Sequence, residues 1–310
     1  MIRKVFLPIV AAGAALPCAV RAAQATSLKI ACIPADIAAE CWYASDLGYF
    51  AAEGISAEIT PIPSGPAIAA AVASGAVNIG YSNVLTLAIA HQRGIPFRII
   101  APANLNIASA PTAGLLAVRA DARIFGAKDL EEKTVGVAGL DNIAYFAVRS
   151  WADVHGADSN KIRFVEIPLP ELAAALRAGR VDAAPLDALS DPNLGKPGNP
   201  LRLLAASFNA ISPNFLLSGW FATTRWVDAN PDLARRFAAA IRKAAVWGNA
   251  HHQESAAVLA RHTKLGIEQI ERTTRVTYGS VLNASLIQPN VNVGLRYHVL
   301  QGGFSVSELL

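Results

Sequence analysis

Ile62-Pro63-Ser64-Gly65-Pro66 leads into Ala69-Ala70-Ala71-Val72-Ala73-Ser74-Gly75-Ala76-Val77-Asn78. Ile167-Pro168-Leu169-Pro170 leads into Ala173-Ala174-Ala175-Leu176-Arg177-Ala178-Gly179-Arg180-Val181-Asp182. Gly75 pairs with Gly179, Val77 with Val181 and Asn78 with Asp182, at a constant offset of 104. Both copies read as a strand end, a proline near the start of a helix, an alanine-rich helix, a closing glycine and a new strand. Two copies are too few for a solenoid. They predict two similar α/β lobes.

The surroundings extend the pattern. Strands are expected at 28–33, 56–62, 77–81 and 97–101, separated by helices at 42–50, 66–74 and 83–93. The order begins again with strands at 134–138, 162–167 and 181–184 and helices at 142–155 and 171–178. Strands alternating with helices of this length predict βαβ units and a parallel sheet. From Asp228 the pattern becomes helical, with Leu233, Phe237, Ile241 and Ala245 four apart behind Asn230-Pro231. This tail is expected to carry no strand and to pack on a lobe. The β-rich segments 113–118 and 216–223 are where the chain crosses between lobes. The expected division is lobe 1 at 27–110 plus 218–310 and lobe 2 at 111–217, joined by a two-crossover hinge that permits closure around a ligand.

Of the 310 residues, 53% are hydrophobic and 16% charged, which excludes disorder. The start of the chain reads as a secretory signal over residues 1–25. Arg3 and Lys4 precede an uncharged apolar run, Val5 to Val20, which meets small residues suited to cleavage after Ala22 or Ala25. Pro8 and Pro17, and a run shorter than the ~18–20 residues needed to span a bilayer, argue against an anchor. Without Arg3, Lys4 and Arg21 the balance is 24 Lys+Arg against 23 Asp+Glu, so no basic stripe remains for nucleic acid. Cys18 leaves with the leader. Cys32 and Cys41 then form an even pair in an oxidising compartment, either bridged or standing as two small buried thiols.

Catalytic signatures are missing. The chain has no Gly-x-Ser-x-Gly, Gly-x-Gly-x-x-Gly, Walker loop, His-Glu-x-x-His or Cys-x-x-Cys. His251-His252 are adjacent and share no helical face for a metal, so they read as surface residues, as do His91, His155, His262 and His298. No catalytic residue, metal or cofactor is expected. Ligands of open α/β sheets bind outside the C-terminal ends of the strands. The turns placed there carry Asp36 and Trp42, Ser64-Gly65, Ser82-Asn83, Gly139 with Asp141-Asn142, and Asp187; the crossovers add Asn104, Asn106 and Asn214. Ser82, Asn83, Asp141 and Asn142 are equally good helix N-caps, and both roles stay open. These turns hold the carboxylates Asp36, Glu40, Asp141 and Asp187 and no lysine or arginine. Trp42, Tyr43, Tyr81, Tyr145 and Phe215 lie in or beside them. The balance favours a neutral or cationic nitrogen-containing or aromatic solute over an inorganic anion.

Asp46-Leu47-Gly48-Tyr49-Phe50-Ala51-Ala52-Glu53-Gly54-Ile55 resembles the GYF..EGL stretch of bacterial nitrate-, sulfonate- and taurine-binding proteins and the related thiamine-pyrimidine (NMT1/THI5-like) proteins. Ser74 to Gly80 is similar to a further family segment, with Asn78 where Asp is usual. Lys128 to Val137 resembles another, with Glu132 replacing a Gly, and Gly179 to Ala184 and Trp226 to Ala244 continue the likeness over nearly the whole mature chain. The resemblance implies a type II periplasmic binding fold. It implies a periplasmic monomer that captures a small-molecule solute between two lobes, without catalysis, and delivers it to the membrane permease of an ABC importer. It carries over at the matched turns Ser64-Gly65, Ser82-Asn83 and Gly139 to Asn142. The alternatives are a pyrimidine-synthase-type enzyme and a periplasmic sensor of the same fold. The His- and Cys-rich motif of the eukaryotic synthases is not evident.

Overall fold

The computed structural model describes residues 1–2, 25–140, 142–302 and 304–310. Residues 3–24, which carry most of the expected leader including Cys18, lie outside the described residues, as does Asp141. No helix among the described residues is long and apolar enough to cross a membrane.

In chain order the first unit comprises β1 (Thr26–Cys32), α1 (Glu40–Asp46), α2 (Tyr49–Ala52), β2 (Ile55–Pro61), α3 (Gly65–Ala73), β3 (Ile79–Asn83), α4 (Val84–Gln92) and β4 (Phe97–Pro102). A short strand, β5 (Asn104–Ile107), leads to β6 (Leu115–Arg119), β7 (Thr134–Val137), α5 (Ile143–Val154), β8 (Arg163–Glu166), α6 (Leu172–Arg177), β9 (Ala183–Leu186) and β10 (Leu201–Ala206). The chain returns through β11 (Asn214–Leu216) and β12 (Ser218–Thr223). It ends in α7 (Thr224–Ala229), α8 (Pro231–Ala250), α9 (His252–His262), α10 (Ile267–Glu271), β13 (Thr277–Tyr278) and α11 (Ala284–Arg296).

Two five-stranded sheets result, ordered β2-β1-β3-β12-β4 and β10-β6-β9-β7-β8. The βαβ strands pair in parallel, β1 with β2 and β3, and β7 with β8 and β9. The sheets are nevertheless mixed and not purely parallel as expected. β12 runs antiparallel between β3 and β4, and β6 runs antiparallel to β9 and β10. β12 and β6 are the strands the chain enters from the opposite sheet, without a helical crossover to impose a parallel direction. The two connections also pair with each other. β5 lies between β11 and β13 in an antiparallel three-stranded ribbon. The tail therefore contributes a strand after all. Its pair, Thr277-Tyr278, is too short to show an alternating pattern. α11 went unforeseen because Pro289 sits inside it, where proline ordinarily argues against a helix.

The internal repeat has a physical basis. Gly75 and Gly179 close α3 and α6 at φ of 75° and 69°, a left-handed conformation that costs glycine least. Asn78 Oδ1 then accepts the Lys29 N–H at 2.9 Å, and Asp182 Oδ2 accepts the Thr134 N–H at 2.9 Å. Each residue also donates its own N–H to the carbonyl of the same partner, Lys29 or Thr134. The offset residues thus staple the middle of β1 and the start of β7 to the incoming strand in the same way. Val77 and Val181, one residue earlier, are buried beneath.

The core of the first sheet runs from Leu28 and Ile30 to the aromatic stack of Phe50 on Phe237, 5.6 Å between centroids, with Trp220 edge-on to Phe237. α8 buries Leu233, Phe237, Ile241 and Ala245, the four-residue spacing read above. Ile143, Phe146 and Ala147 of α5 join this same core, although α5 follows a strand of the second sheet. The two sheets are thereby packed side by side, with the C-terminal ends of β1, β2, β7 and β9 meeting across one cavity.

Candidate functional site

The cavity encloses about 680 Å³ of space free of protein atoms, counted out to its open mouth. Ile33 and Ile37 reach it from the turn after β1, and Pro63, Ser64 and Gly65 from the turn after β2. Tyr81 and Asn83 come from the end of β3, and Leu217 and Ser218 from the entry to β12. The opposite wall is Ala113-Gly114 before β6, Ala138 after β7, the first turn of α5, Leu169 and Leu172, and Pro185 and Asp187 at the end of β9. Phe208 closes one side.

The polar wall residues are mostly committed to the fold. Ser64 Oγ accepts the Ala67 N–H of α3 at 3.4 Å, Asn83 Oδ1 accepts the Thr86 N–H of α4 at 2.9 Å, and Asn142 Oδ1 accepts the Ala144 N–H of α5 at 2.9 Å. These are N-caps, so the capping and lining roles coincide in one residue. Asn104 Oδ1 accepts from the Tyr81 hydroxyl at 2.8 Å. Gly65 lies so close to Ser82 that a Cβ would stand 2.6 Å from its Oγ, and this turn accepts only glycine without rearrangement. Gly114 is tighter still. Its φ is 64°, and a Cβ would lie 2.5–2.8 Å from the Phe208 ring.

Of the expected site residues, Ser64, Gly65, Asn83, Asn104, Asn142 and Asp187 line the cavity. The other described ones stand elsewhere. Asp36 is buried and turned into the first lobe. Its carboxylate accepts from Arg275 Nε at 2.8 Å, Arg275 Nη2 at 2.5 Å, the Val276 N–H at 3.1 Å and the Tyr278 hydroxyl at 2.9 Å. Burial alone would lower the Arg275 guanidinium pKa; the hydrogen bonds and charge of Asp36 reverse that and hold it above its ordinary value. Trp42 is buried and stacks on His262, 4.3 Å between centroids, and His262 Nε2 lies 3.0 Å from the Asp46 carboxylate. His262 is therefore part of a packed contact and not the free surface residue expected. Ser82 is fully buried behind Gly65. Asn106 donates to Asn209 Oδ1 and to the Ser212 carbonyl, both at 3.2 Å, tying the crossovers together, and Asn214 sits exposed on β11 beside Ile107. Gly139 flanks the wall; a Cβ there would meet Pro66 of the opposite lobe at 3.7 Å. Tyr43 and Phe215 are core residues, and Tyr145 packs between Phe146 and Phe164.

Sequence reasoning missed Gly114, Phe208, Leu169 and Leu172. Leucines near a helix start and a phenylalanine in a loop carry no signal of their own; only the glycine in a β-rich run hinted at a close approach. Cys32 and Cys41 are both free and fully buried, which answers the open choice in favour of two thiols. Burial raises the Cys41 thiol well above its ordinary pKa, with Cys32 adding to it.

Two carboxyls remain. Glu40 is fully buried at the start of α1, and neither oxygen has a hydrogen-bond partner among the described residues. Burial raises its pKa well above the carboxylate range. The Trp220 indole tempers that shift from nearby, yet neither group reaches hydrogen-bond geometry. Asp187 is the single charged side chain on the described cavity wall. Burial, with the negative charge of Asp36 second, pushes its carboxyl up to about 7. The described residues contain no group of three or more His, Cys, Asp or Glu that could hold a metal.

A family model described as NMT1/THI5 like matches residues 38–255, most of the chain. The chain belongs to the NMT1/THI5-like family. No curated protein matches it by sequence. Among solved structures, this NMT1/THI5-like chain is similar to the periplasmic aliphatic sulphonate binding protein SsuA from Escherichia coli. The TM-score is 0.71 at 16% identity, over 92% of this chain and 91% of that one. It is similar to the periplasmic nitrate-binding protein NrtA from Synechocystis PCC 6803, with a TM-score of 0.76 at 14% identity over 90% and 83%. It is also similar to the desulfurization enzyme DszB, with a TM-score of 0.64 at 15% identity over 91% and 94%. The fold of this NMT1/THI5-like protein is that of the type II periplasmic binding proteins.

Proposed function

We propose that the chain is the solute-binding component of an ABC importer, exported to the periplasm after removal of a leader at 1–25. Residues 27–110 with 218–310 form one lobe and 111–217 the other, and the paired crossovers around β5 and β11 act as the hinge. A small organic solute is held between the lobes and handed to the membrane permease. One observation carries the reading: a single cavity at the C-terminal strand ends takes its walls from both sheets. A solute there touches both lobes and favours their closure. The likeness to sulphonate- and nitrate-binding periplasmic proteins supports the same role.

The fold also carries an enzyme, so fold alone does not decide the matter. The chemistry of the wall favours binding over turnover. Ser64, Asn83 and Asn142 cap helices, and among the described wall residues no nucleophile is hydrogen-bonded to a base. The reading is tested by native mass spectrometry of the protein isolated from its exported fraction, with small-angle scattering before and after the bound solute is stripped. The expected result is one non-covalent solute per chain and a larger radius of gyration once it is removed. A protein that carries no solute and keeps one radius of gyration, or one that converts the solute on incubation, refutes it.

A further inference from the structure

The wall of the cavity is unbalanced in charge. Asp187 has a carboxylate there, and no described residue donates a hydrogen bond to it or pairs with it. No lysine or arginine among the described residues lines the cavity. Arg275, the partner of Asp36 behind the turn after β1, is buried and spent on that carboxylate. Ser64, Asn83, Asn104 and Asn142 on the wall each already take a hydrogen bond from a neighbouring residue. Asp187 is thus the wall carboxylate left for an occupant.

The features that would favour an anion are largely consumed. α3 and α5 point their N-termini at the cavity, but Ser64 and Asn142 already accept N–H groups of their first turns, and Pro66 has no N–H to offer. An anion placed between them also faces Asp187 across an apolar wall, where the ionised form of that carboxyl would repel it. A carboxylate in such a wall is stable when an opposite charge with N–H donors meets it. The rest of the surface is apolar, with Ile33, Ile37, Leu169, Leu172 and Phe208 around the space.

Resting on the solute-binding reading, we propose that the occupant is a protonated amine with an apolar body, its ammonium donating to Asp187 and its body lying against Phe208, Leu169 and Leu172. Burial, with the negative charge of Asp36 second, raises the Asp187 carboxyl, and an ammonium beside it would lower it again.

Three probes of one size and different charge test the class: benzylammonium, benzyl alcohol and benzenesulfonate, with nitrate as a fourth. Binding is read by calorimetry and closure by small-angle scattering, with solute-free protein at neutral pH. Benzylammonium is expected to bind at least about ten-fold more tightly than the alcohol or the sulfonate, as a charge-assisted contact requires. Asp187→Asn is expected to bring it down to the level of the alcohol, while Asp187→Glu keeps part of the preference. Asp187→Asn removes an unpaired charge, so its melting temperature should not fall, and a loss of binding is then not a loss of fold. If benzenesulfonate or nitrate binds more tightly and compacts the protein, the amine class is overturned and the solute-binding reading stands. If benzylammonium is no tighter than the alcohol, or is unaffected by Asp187→Asn, the proposal is equally overturned, whatever solute the isolated protein carries.

Discussion

Replacing Arg275 by methionine isolates one buried charge pair. Both side chains are only 7% exposed. The substitution keeps most of the apolar stem and deletes the two nitrogens on Asp36 at 2.8 and 2.5 Å, together with the contact from Nη2 to the Tyr43 hydroxyl at 2.5 Å. Asp36 keeps the Val276 N–H and the Tyr278 hydroxyl but loses its counter-charge in a desolvated setting. Removing one partner of such a pair costs about 3–5 kcal/mol. At roughly 2–4 °C per kcal/mol for a unit of this size, the melting temperature should fall by roughly 6–20 °C. The assay is thermal and urea unfolding followed by tryptophan fluorescence, with Asp36→Asn and the double variant completing a cycle. The double variant should be markedly more stable than the sum of the single losses, because neither charge is then left alone. A loss below about 1 kcal/mol for Arg275→Met, or strict additivity in the cycle, would show that the pair does not hold the β1–α1 turn, and the argument fails.

The remaining predictions are local. Asn78→Ala and Asp182→Ala each remove the acceptor of one strand N–H and should each cost about 0.5–1.5 kcal/mol, measured by urea unfolding; equal losses would confirm that the repeated staple is one device used twice. Gly114→Ala forces a Cβ to within 2.5–2.8 Å of Phe208 at a positive φ and should cost about 1–3 kcal/mol; solute affinity should weaken with it, because Phe208 is part of the wall. Asp187 binds a proton more tightly in the folded, solute-free protein than in the unfolded chain, so its contribution to stability is complete below about pH 4 and is lost as pH rises through about 7. Melting temperature measured from pH 4 to 8 should show this decline in wild type, and Asp187→Asn should make it shallower, with the buried Glu40 leaving a decline of the same sign; an unchanged slope in the variant would place the titration elsewhere.

Much of the fold was legible because it rests on near-neighbour chemistry. Pro66, Gly75, Gly179 and the alternation of apolar and small residues set their own segments into helix or strand wherever those segments end up. The site was legible at Ser64, Asn83 and Asn142, since an N-cap at the end of a parallel strand is already at the ligand-binding edge of the sheet. The same reasoning misplaced Asp36, because the arginine that takes its carboxylate lies 239 residues along the chain.

The sequence by itself determined that there are two α/β units, where α3 to α6 lie within a residue or so, and that the turns at their strand ends hold carboxylates without a lysine or arginine. Only the tertiary structure decided which of those carboxylates stays unpaired. Asp36 found Arg275, Glu40 was buried near Trp220 without a hydrogen-bond partner among the described residues, and Asp187 was left on the cavity wall. The direction of β6 and β12, the ribbon that joins the sheets and the seat of Phe208 against Gly114 were decided the same way. The reason is physical: caps and turns depend on residues a few places apart, whereas charge pairing and cavity walls depend on which distant segments meet once the apolar surface is buried.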